Sequence, residues 1–411
     1  MNKGKKIKLI PKIANDYTDE EKKETIKINL YDMEQCEKDL KEVFHESSDV
    51  VIQPMQTNSH TAIVVYIDGM ADKTLLYKNV LEPLKSDDFK GNIEEVITVT
   101  QFKKKEAQYE YVLDILDGNV VVFYENLGSV ITIDLKTWEK RSVDSPDSES
   151  VIRGPKEGFT ETIRTNTSLL RRKIKTPHLV FENMIYGRQS NTKIALAYID
   201  DIVNEEVLEE LKKRLSKIDI DAILDSGNIE QLIEDAPFFP FPTIGSTQKP
   251  DVAASKLLEG RIAIICDGTP HVLTVPNLFV ENFQVSEDYY NRMFLSTFLR
   301  IMRVFGFLTS VMLPGIFVAL VTFNQEMIPT VFLVTLVSNR ETVPFPTAVE
   351  TFLMLFFLEL LRESGTRLPR PIGSAISIVG ALVVGDAAVN AGIVGAPTVI
   401  IVAITAVASF I

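Results

Sequence analysis

Lys193–Asp200 reads KIALAYID, and Thr61–Asp68 reads TAIVVYID. Each is an apolar run of strand length that closes on an acidic turn residue, as expected of a strand buried on both faces. The likeness extends beyond the two runs. Tyr66-Ile67-Asp68 aligns with Tyr198-Ile199-Asp200, Met70 with Ile202, and Asp72 with Asn204. Further along, Leu116-Asp117-Gly118 aligns with Leu258-Glu259-Gly260. Val120, Val122, Glu125, Val130, Thr132 and Ile133 then align with Ile262, Ile264, Asp267, Val272, Thr274 and Val275. The offset grows from 132 in the first block to 142 in the second, so the gain lies in one intervening segment. Two subdomains of one α/β fold, related by duplication, are expected.

Working outward, residues 36–140 form subdomain 1. Met70–Leu84 has helical spacing through Leu75, Leu76, Val80 and Leu84. Ile93–Val99 reads as a strand and Ala107–Leu116 as a helix. Asn119–Glu125 and Ser129–Asp134 form a hairpin around Asn126 to Gly128. Residues 178–287 form subdomain 2. Its charged helix Glu205–Lys217 carries Val207, Leu208, Leu211 and Leu215 on one face, and Asp251–Leu258 is a second helix. Arg261–Cys266 and His271–Val275 pair across the turn dipeptide Asp267-Gly268. Phe238–Thr243 (FFPFPT) is a Pro-aromatic turn.

Residues 1–35 are a basic flexible tail. Its apolar patch Ile7–Ile13 is broken by Lys8, Pro11 and Lys12, so it is not a secretory signal. Residues 141–177 link the subdomains. They are punctuated by Gly154-Pro155 and Gly158, and they end in a basic helix from Asn166 to Lys175. Their dense mixture of Arg and Glu suits an ordered connector at an interface, with Arg153, Gly154, Pro155, Glu157, Gly158 and Phe159 as the candidate contact residues. The competing reading is a solvated loop.

Composition narrows the function. The 411 residues carry 43 basic and 56 acidic side chains, a net charge of −13, which argues against a nucleic-acid binder. Cys36 and Cys266 cannot build a disulfide scaffold, and the four histidines lack metal-ligand spacing, so no metal or cofactor is expected. The mean hydropathy of +0.10 averages two unlike parts, since no lysine follows Lys256.

Residues 288–303 form an amphipathic pre-membrane helix in which Tyr289, Tyr290, Arg292, Arg300 and Arg303 suit a headgroup boundary. The membrane domain, 304–411, opens with Val304–Phe323, 20 residues without a charge. Pro314-Gly315 in its middle predicts a kink or a break. Further spans are expected at 343–361, 372–389 and 393–411, with a short apolar segment at 327–338. Arg292, Arg300 and Arg303 flank the first span, and Arg362, Arg367 and Arg370 follow the second. Both groups belong on the cytoplasmic side, which makes the amino-terminal region cytoplasmic. The chain stops inside the apolar run that includes Ala408-Ser409-Phe410-Ile411, so further membrane sequence is expected after it. Gly373, Gly380, Gly385, Gly392 and Gly395 permit close helix approach and favour a homo-oligomer.

No nucleotide-binding, serine-nucleophile or zinc-protease motif is present. Asp68, Asp200 and Asp267 sit at strand ends without a partner base and read as turn caps. Cys266 reads as a small core residue. The chain is therefore not expected to be an enzyme. A carboxylate in lipid costs about 2.5–3.5 kcal/mol, so Glu350, Glu359 and Asp386 must face protein, water or a partner. Glu350 and Glu359 are nine apart, about 180° around a helix, and cannot share a face. Glu359, Arg362 and Glu363 have the spacing of a local ion cluster. Glu350 and Asp386 each have two readings: a group lining a hydrated cation path, or a buried structural carboxylate.

Several segments together resemble the A subunit of the GerA-type spore germinant receptors. They are Arg153-Gly154-Pro155-Lys156-Glu157-Gly158-Phe159, Glu259-Gly260-Arg261-Ile262-Ala263-Ile264 with Asp267-Gly268-Thr269-Pro270, and Val343-Pro344-Phe345-Pro346 with Glu350. Glu359-Leu360-Leu361-Arg362-Glu363 and Ile378-Val379-Gly380-Ala381-Leu382 complete the set. Gln248-Lys249 departs from the Glu-Arg that the pattern would place before Pro250-Asp251. The resemblance implies a multi-pass protein of the spore inner membrane that works with a transporter-like B subunit and a lipoprotein C subunit and oligomerises into a nutrient-gated ion channel. It carries over no catalytic residue. The rival readings are a paralogous A-type channel that amplifies germination without a nutrient-binding partner, and a membrane-tethered ligand-binding module built on residues 36–285.

Overall fold

The computed structural model describes residues 27–57, 60–85, 102–125, 130–137, 149, 153–235, 238–367 and 385–409. Residues 1–26 of the expected tail, the Ile93–Val99 strand, the Asn126–Gly128 turn, the first part of the connector and most of the 372–389 span lie outside them. The last residues of that expected tail are instead part of subdomain 1: Ile28 and Met33 are buried in its core, and a helix runs from Met33 to Val43 with Asp32 as its cap. The chain divides into two compact units, Met1–Glu281 and Asn282–Ile411.

Two five-stranded antiparallel sheets organise the first unit. Sheet one contains β1 (Val50–Gln56), β2 (Thr61–Ile67), β3 (Phe102–Lys105), β4 (Val120–Tyr124) and β5 (Val130–Ile133), in the order β1-β2-β4-β5-β3. Sheet two contains β6 (Leu179–Tyr186), β7 (Thr192–Ile199), β8 (Gly245–Thr247), β9 (Ile262–Cys266) and β10 (Val272–Val275), in the order β6-β7-β9-β10-β8. The two orders are the same permutation, which is how a duplication appears in three dimensions. The quoted runs are β2 and β7, each paired with β strands on both sides.

Both faces of each sheet are covered, which explains the unbroken apolar runs. On β2, Ile63, Val65 and Ile67 enter one core with Met33, Leu40 and Ile115, while Ala62, Val64 and Tyr66 enter another with Leu76, Val80 and Leu84. On β7, Ala195, Ala197 and Ile199 pack with Leu170 and Leu257, and Ile194, Leu196 and Tyr198 pack with Leu211, Leu215 and Ile229. The repeat reaches the helix caps. Asp72 caps the helix that opens at Lys73, and Asn204, its aligned partner, caps Glu205–Leu215, each accepting two backbone N–H bonds. The segment expected as one helix from Met70 starts at Lys73 and passes through a π turn, Tyr77–Leu81, before Glu82–Lys85.

The second unit is helical. Ser286–Tyr289 is a 3₁₀ turn, and a single helix then runs from Met293 to Thr322. The separate pre-membrane helix expected at 288–303 is thus replaced by a turn plus the first third of that long helix. Asp288 is the reason. Its carboxylate takes both Arg303 (2.6 and 2.9 Å) and Arg300 (3.1 Å), and its carbonyl takes the Ser296 hydroxyl at 2.6 Å. Arg300 also stacks on Tyr289. Pro314 lacks the N–H that would bond the preceding turn, yet the helix continues through Pro314 and Gly315, so the expected break is absent. Thr330–Ser338, Thr347–Arg367 and Ala396–Ala408 follow, and the core of this unit centres on Met354, Val394 and Val402. Among the described residues, Met293–Thr322 is the one helix long and apolar enough to cross a membrane.

Candidate functional site

Two places bring together the residues singled out above. The first is the junction of the subdomains, organised by the connector and the helix Ile163–Lys173. The connector follows the surface of subdomain 2. Arg153 and Gly154 are exposed, Pro155 and Glu157 half-buried, and Gly158 and Phe159 buried. The Phe159 ring enters the core with Leu170 and Ala253, and its N–H bonds the Gln248 carbonyl at 2.7 Å. Glu157 pairs with Arg172 (2.9 Å) and Lys173 (3.3 Å). Asn166 closes the turn ahead of the helix, accepting from Thr160 N–H at 2.8 Å and donating to its carbonyl at 2.6 Å.

Arg171 crosses from this helix to subdomain 1. Its guanidinium, wholly buried, donates two bonds of 2.8 Å to the two oxygens of Asp49, one of 3.2 Å to Ser47 and one of 3.0 Å to the Thr176 carbonyl. Ser47 in turn donates to Asp49 at 2.6 Å and accepts from the Phe181 N–H at 2.9 Å. Ser48 N–H reaches the Phe181 carbonyl at 2.9 Å, so β6 is tied to the segment that leads into β1. A bidentate, fully partnered arrangement of this kind suits a buried charge. Beside it, His45 Nδ1 lies 3.1 Å from Asp200, and His45 Nε2 lies 3.1 Å from His178 Nδ1. With its Nδ1–H on Asp200, a neutral His45 accepts from His178.

The three strand-end aspartates have larger roles than the turn caps expected of them. Asp68 pairs with Arg164 at 2.8 Å, Asp200 holds His45, and Asp267 accepts the Ile163 N–H at 3.0 Å. All three therefore fasten the junction. Asp117 receives Lys136 from its own subdomain and Lys175 from the connector; burial raises its carboxyl, but these two ammonium groups hold it below the ordinary value. Burial pushes the Cys266 thiol up to about 11, with Asp225 and Asp267 adding to it, as befits an unreactive core cysteine. Sequence reading missed Asp49, Ser47, His45, His178 and the depth of Arg171. Nothing local distinguishes Arg171 from its neighbour Arg172, which sits on the surface with Glu157.

Among the described residues no three His, Cys, Asp or Glu side chains converge as metal ligands would. A hollow of about 420 Å³ in subdomain 2, lined by Arg214, Ile218, Ile220, Leu232 and Asp235, is open. Of its charges, Arg214 pairs with Asp235 across it and with Glu210 beside it, and Asp219 pairs with Arg188.

The second place is in the helical unit. Glu350, on the helix Thr347–Arg367, is 0% exposed. One carboxylate oxygen accepts the N–H of Gly395, the residue that caps Ala396–Ala408; the other lies 3.6 Å from Arg340. Arg340 also bonds the Thr347 hydroxyl. The carboxylate therefore faces the positive end of one helix from the first turn of another. A Cβ on Gly395 would lie 3.1 Å from Glu350 Oε1 and 3.4 Å from Arg340 Cγ, so glycine permits this approach. Glu359, by contrast, is 66% exposed and pairs with Arg362 at 3.2 Å. Asp386 is exposed and accepts from Asn390 at 3.1 Å. The three acids do not meet.

Two α/β subdomains of the same strand order, followed by a helical unit holding one helix long and apolar enough to cross a membrane, define the class of this chain. The profile of the Bacillus/Clostridium GerA spore germination protein matches residues 38–411. Spore germination protein KA of Bacillus subtilis (strain 168) is 45% identical over 375 residues, 89% of this chain and 69% of that protein. The membrane protein YfkQ of the same organism is 38% identical over 370 residues, 88% of this chain and 72% of that protein. The crystal structure of the N-terminal domain of the A subunit of the Bacillus megaterium spore germinant receptor GerK3 is 36% identical; it covers 60% of this chain and 95% of that one, with a TM-score of 0.48. The chain belongs to the GerA spore germination protein family.

Proposed function

We propose that the chain is the A subunit of a nutrient germinant receptor, a non-enzymatic protein that oligomerises in the spore inner membrane and conducts ions when a nutrient is sensed. The observation that carries this reading is the match to the family across residues 38–411, which spans both the polar head and the apolar helices. The 45% identity to spore germination protein KA favours a role in germination itself. The nutrient is bound by a transporter-like B subunit, a lipoprotein C subunit completes the receptor, and the head lies on the cytoplasmic side of a multi-pass membrane region. Exposed apolar side chains along Met293–Thr322, Phe294, Phe305 and Val311 among them, support contact with lipid.

Glu350 joins three elements of the helical unit, so it is the acid through which those helices influence conduction. The test is potassium release from spores in which this chain replaces the resident A subunit. Nutrient should trigger release with the native chain, and Glu350→Gln should slow it while B and C still co-purify. Nutrient-triggered release equally fast in spores lacking any A subunit would overturn the channel reading.

A further inference from the structure

Phe238, Phe239 and Phe241 lie on a turn stiffened by Pro240 and Pro242, and Phe279 packs against it. The ring centroids of Phe239 and Phe241 are 5.6 Å apart, and those of Phe241 and Phe279 are 4.5 Å apart. The outer side of this cluster is bare: Phe238 is 101% and Phe239 55% exposed, and Leu278 and Val280, which flank Phe279 in the chain, are more than half exposed. Single exposed apolar residues are ordinary, but several grouped on one feature mark a contact surface.

The cluster is fixed to the place where the chain leaves the first unit. Asn277 N–H bonds the Thr243 carbonyl at 2.8 Å, and its side-chain amide reaches the Pro242 carbonyl at 3.4 Å. Glu281, the last residue of the unit, is clamped by Lys256 at 2.7 Å and by Arg261 at 2.8 Å. The apolar helix opens at Met293. At a maximum of roughly 3.5 Å per residue, the intervening chain keeps the aromatic rings on a short tether to a segment that itself belongs in lipid. Lys256 and Arg261 are both engaged by Glu281, so what the cluster presents outward is aromatic surface rather than cationic charge.

We infer that Phe238, Phe239, Phe241 and Phe279 contact the headgroup–acyl boundary of the membrane that holds the helix, through apolar burial rather than attraction to anionic lipid. This rests on the membrane reading above. The experiment separates the two. The full chain is reconstituted in phosphatidylcholine vesicles with a fluorophore on Phe238→Cys, on Phe305→Cys or on Lys213→Cys; native Cys36 and Cys266 are buried and unlabelled. The label at 238 should be quenched about twofold by shallow doxyl lipid, be shielded from aqueous iodide, and respond little to salt or added anionic lipid. The label at 305 should be quenched by lipid and the one at 213 by iodide. Iodide access at 238, with 305 still quenched by lipid, overturns the inference and leaves the membrane reading standing. Shielding at 238 from both quenchers also overturns it, in favour of a protein contact. Loss of lipid quenching at 305 overturns both.

Discussion

Arg171 and Arg172 are adjacent and chemically identical, yet one is enclosed and the other meets water. Removing Asp49 would leave the Arg171 charge buried without its bidentate partner, at a cost of about 3–5 kcal/mol, whereas breaking the half-exposed Arg172–Glu157 pair costs under about 1 kcal/mol. Asp49→Ala should therefore accelerate amide exchange at Ser48 and Phe181, whose N–H groups report the junction, while Arg172→Ala leaves both slow; equal exchange in the two variants would contradict the assignment. Asp117 adds a pH dependence. Its folded carboxyl lies below the ordinary 3.8 because Lys136 and Lys175 overcome the effect of burial. Such a group contributes stability that is present above the unfolded value and is lost as pH falls through the folded one. Protection at the junction should thus hold at pH 5 and above and decline in acid below about pH 4, and Asp117→Asn should flatten that decline. The apolar runs and turn dipeptides were legible in the sequence at this scale, but the junction was not. His45 and His178, like Asp49 and Arg171, are brought together only by tertiary folding across more than a hundred residues.

The two halves answer the same backbone problem with the same residue at the level of the elements. Gly118 and Gly260, aligned in the repeat, both have φ in the left-handed region, +91° and +84°. An added Cβ at Gly118 would meet Met70, side chain at 3.1 Å and carbonyl at 3.4 Å; at Gly260 it would meet the Ile202 carbonyl at 2.5 Å. Met70 and Ile202 are themselves aligned positions. Both Gly→Ala changes should destabilise by more than about 1 kcal/mol, and Gly260→Ala should cost more because backbone cannot move aside as a methionine side chain can. Urea unfolding followed by probes in each subdomain would rank them; the reverse order would refute the argument. The same scale explains which strands sequence reading found. Those with continuous apolar runs, β2, β4, β5, β7, β9 and β10, were evident. β1, β3, β6 and β8 were not, because an edge strand need not be apolar on both sides. β3 reads Phe-Lys-Lys-Lys, and β1 carries Pro54, a residue that sheet edges tolerate and interiors exclude.

In the molecule as a whole, polarity divides the chain: among the described residues, the first unit has four apolar cores, whereas the helical unit has one small core and many exposed apolar side chains. That division was visible in the lysine distribution, whereas the partners of Glu350 were not, because Arg340 and Gly395 flank it at unrelated spacings. The geometry makes a prediction independent of charge. Glu350 reaches Gly395 because that residue has no Cβ; a methyl group there would sit 3.1 Å from the carboxylate oxygen and 3.4 Å from Arg340, so one of them must give way. Gly395→Ala should therefore slow nutrient-triggered potassium release as Glu350→Gln does, although it adds and removes no charge. Gly315→Ala is the matched control, since a Cβ there meets nothing within 4 Å and alanine is the better helix former. Should Gly395→Ala release ions as fast as Gly315→Ala while Glu350→Gln remains slow, the carboxylate would act through its charge alone and not through its seat on the helix end. Should all three match the native chain, the Glu350–Arg340–Gly395 contact would have no part in conduction.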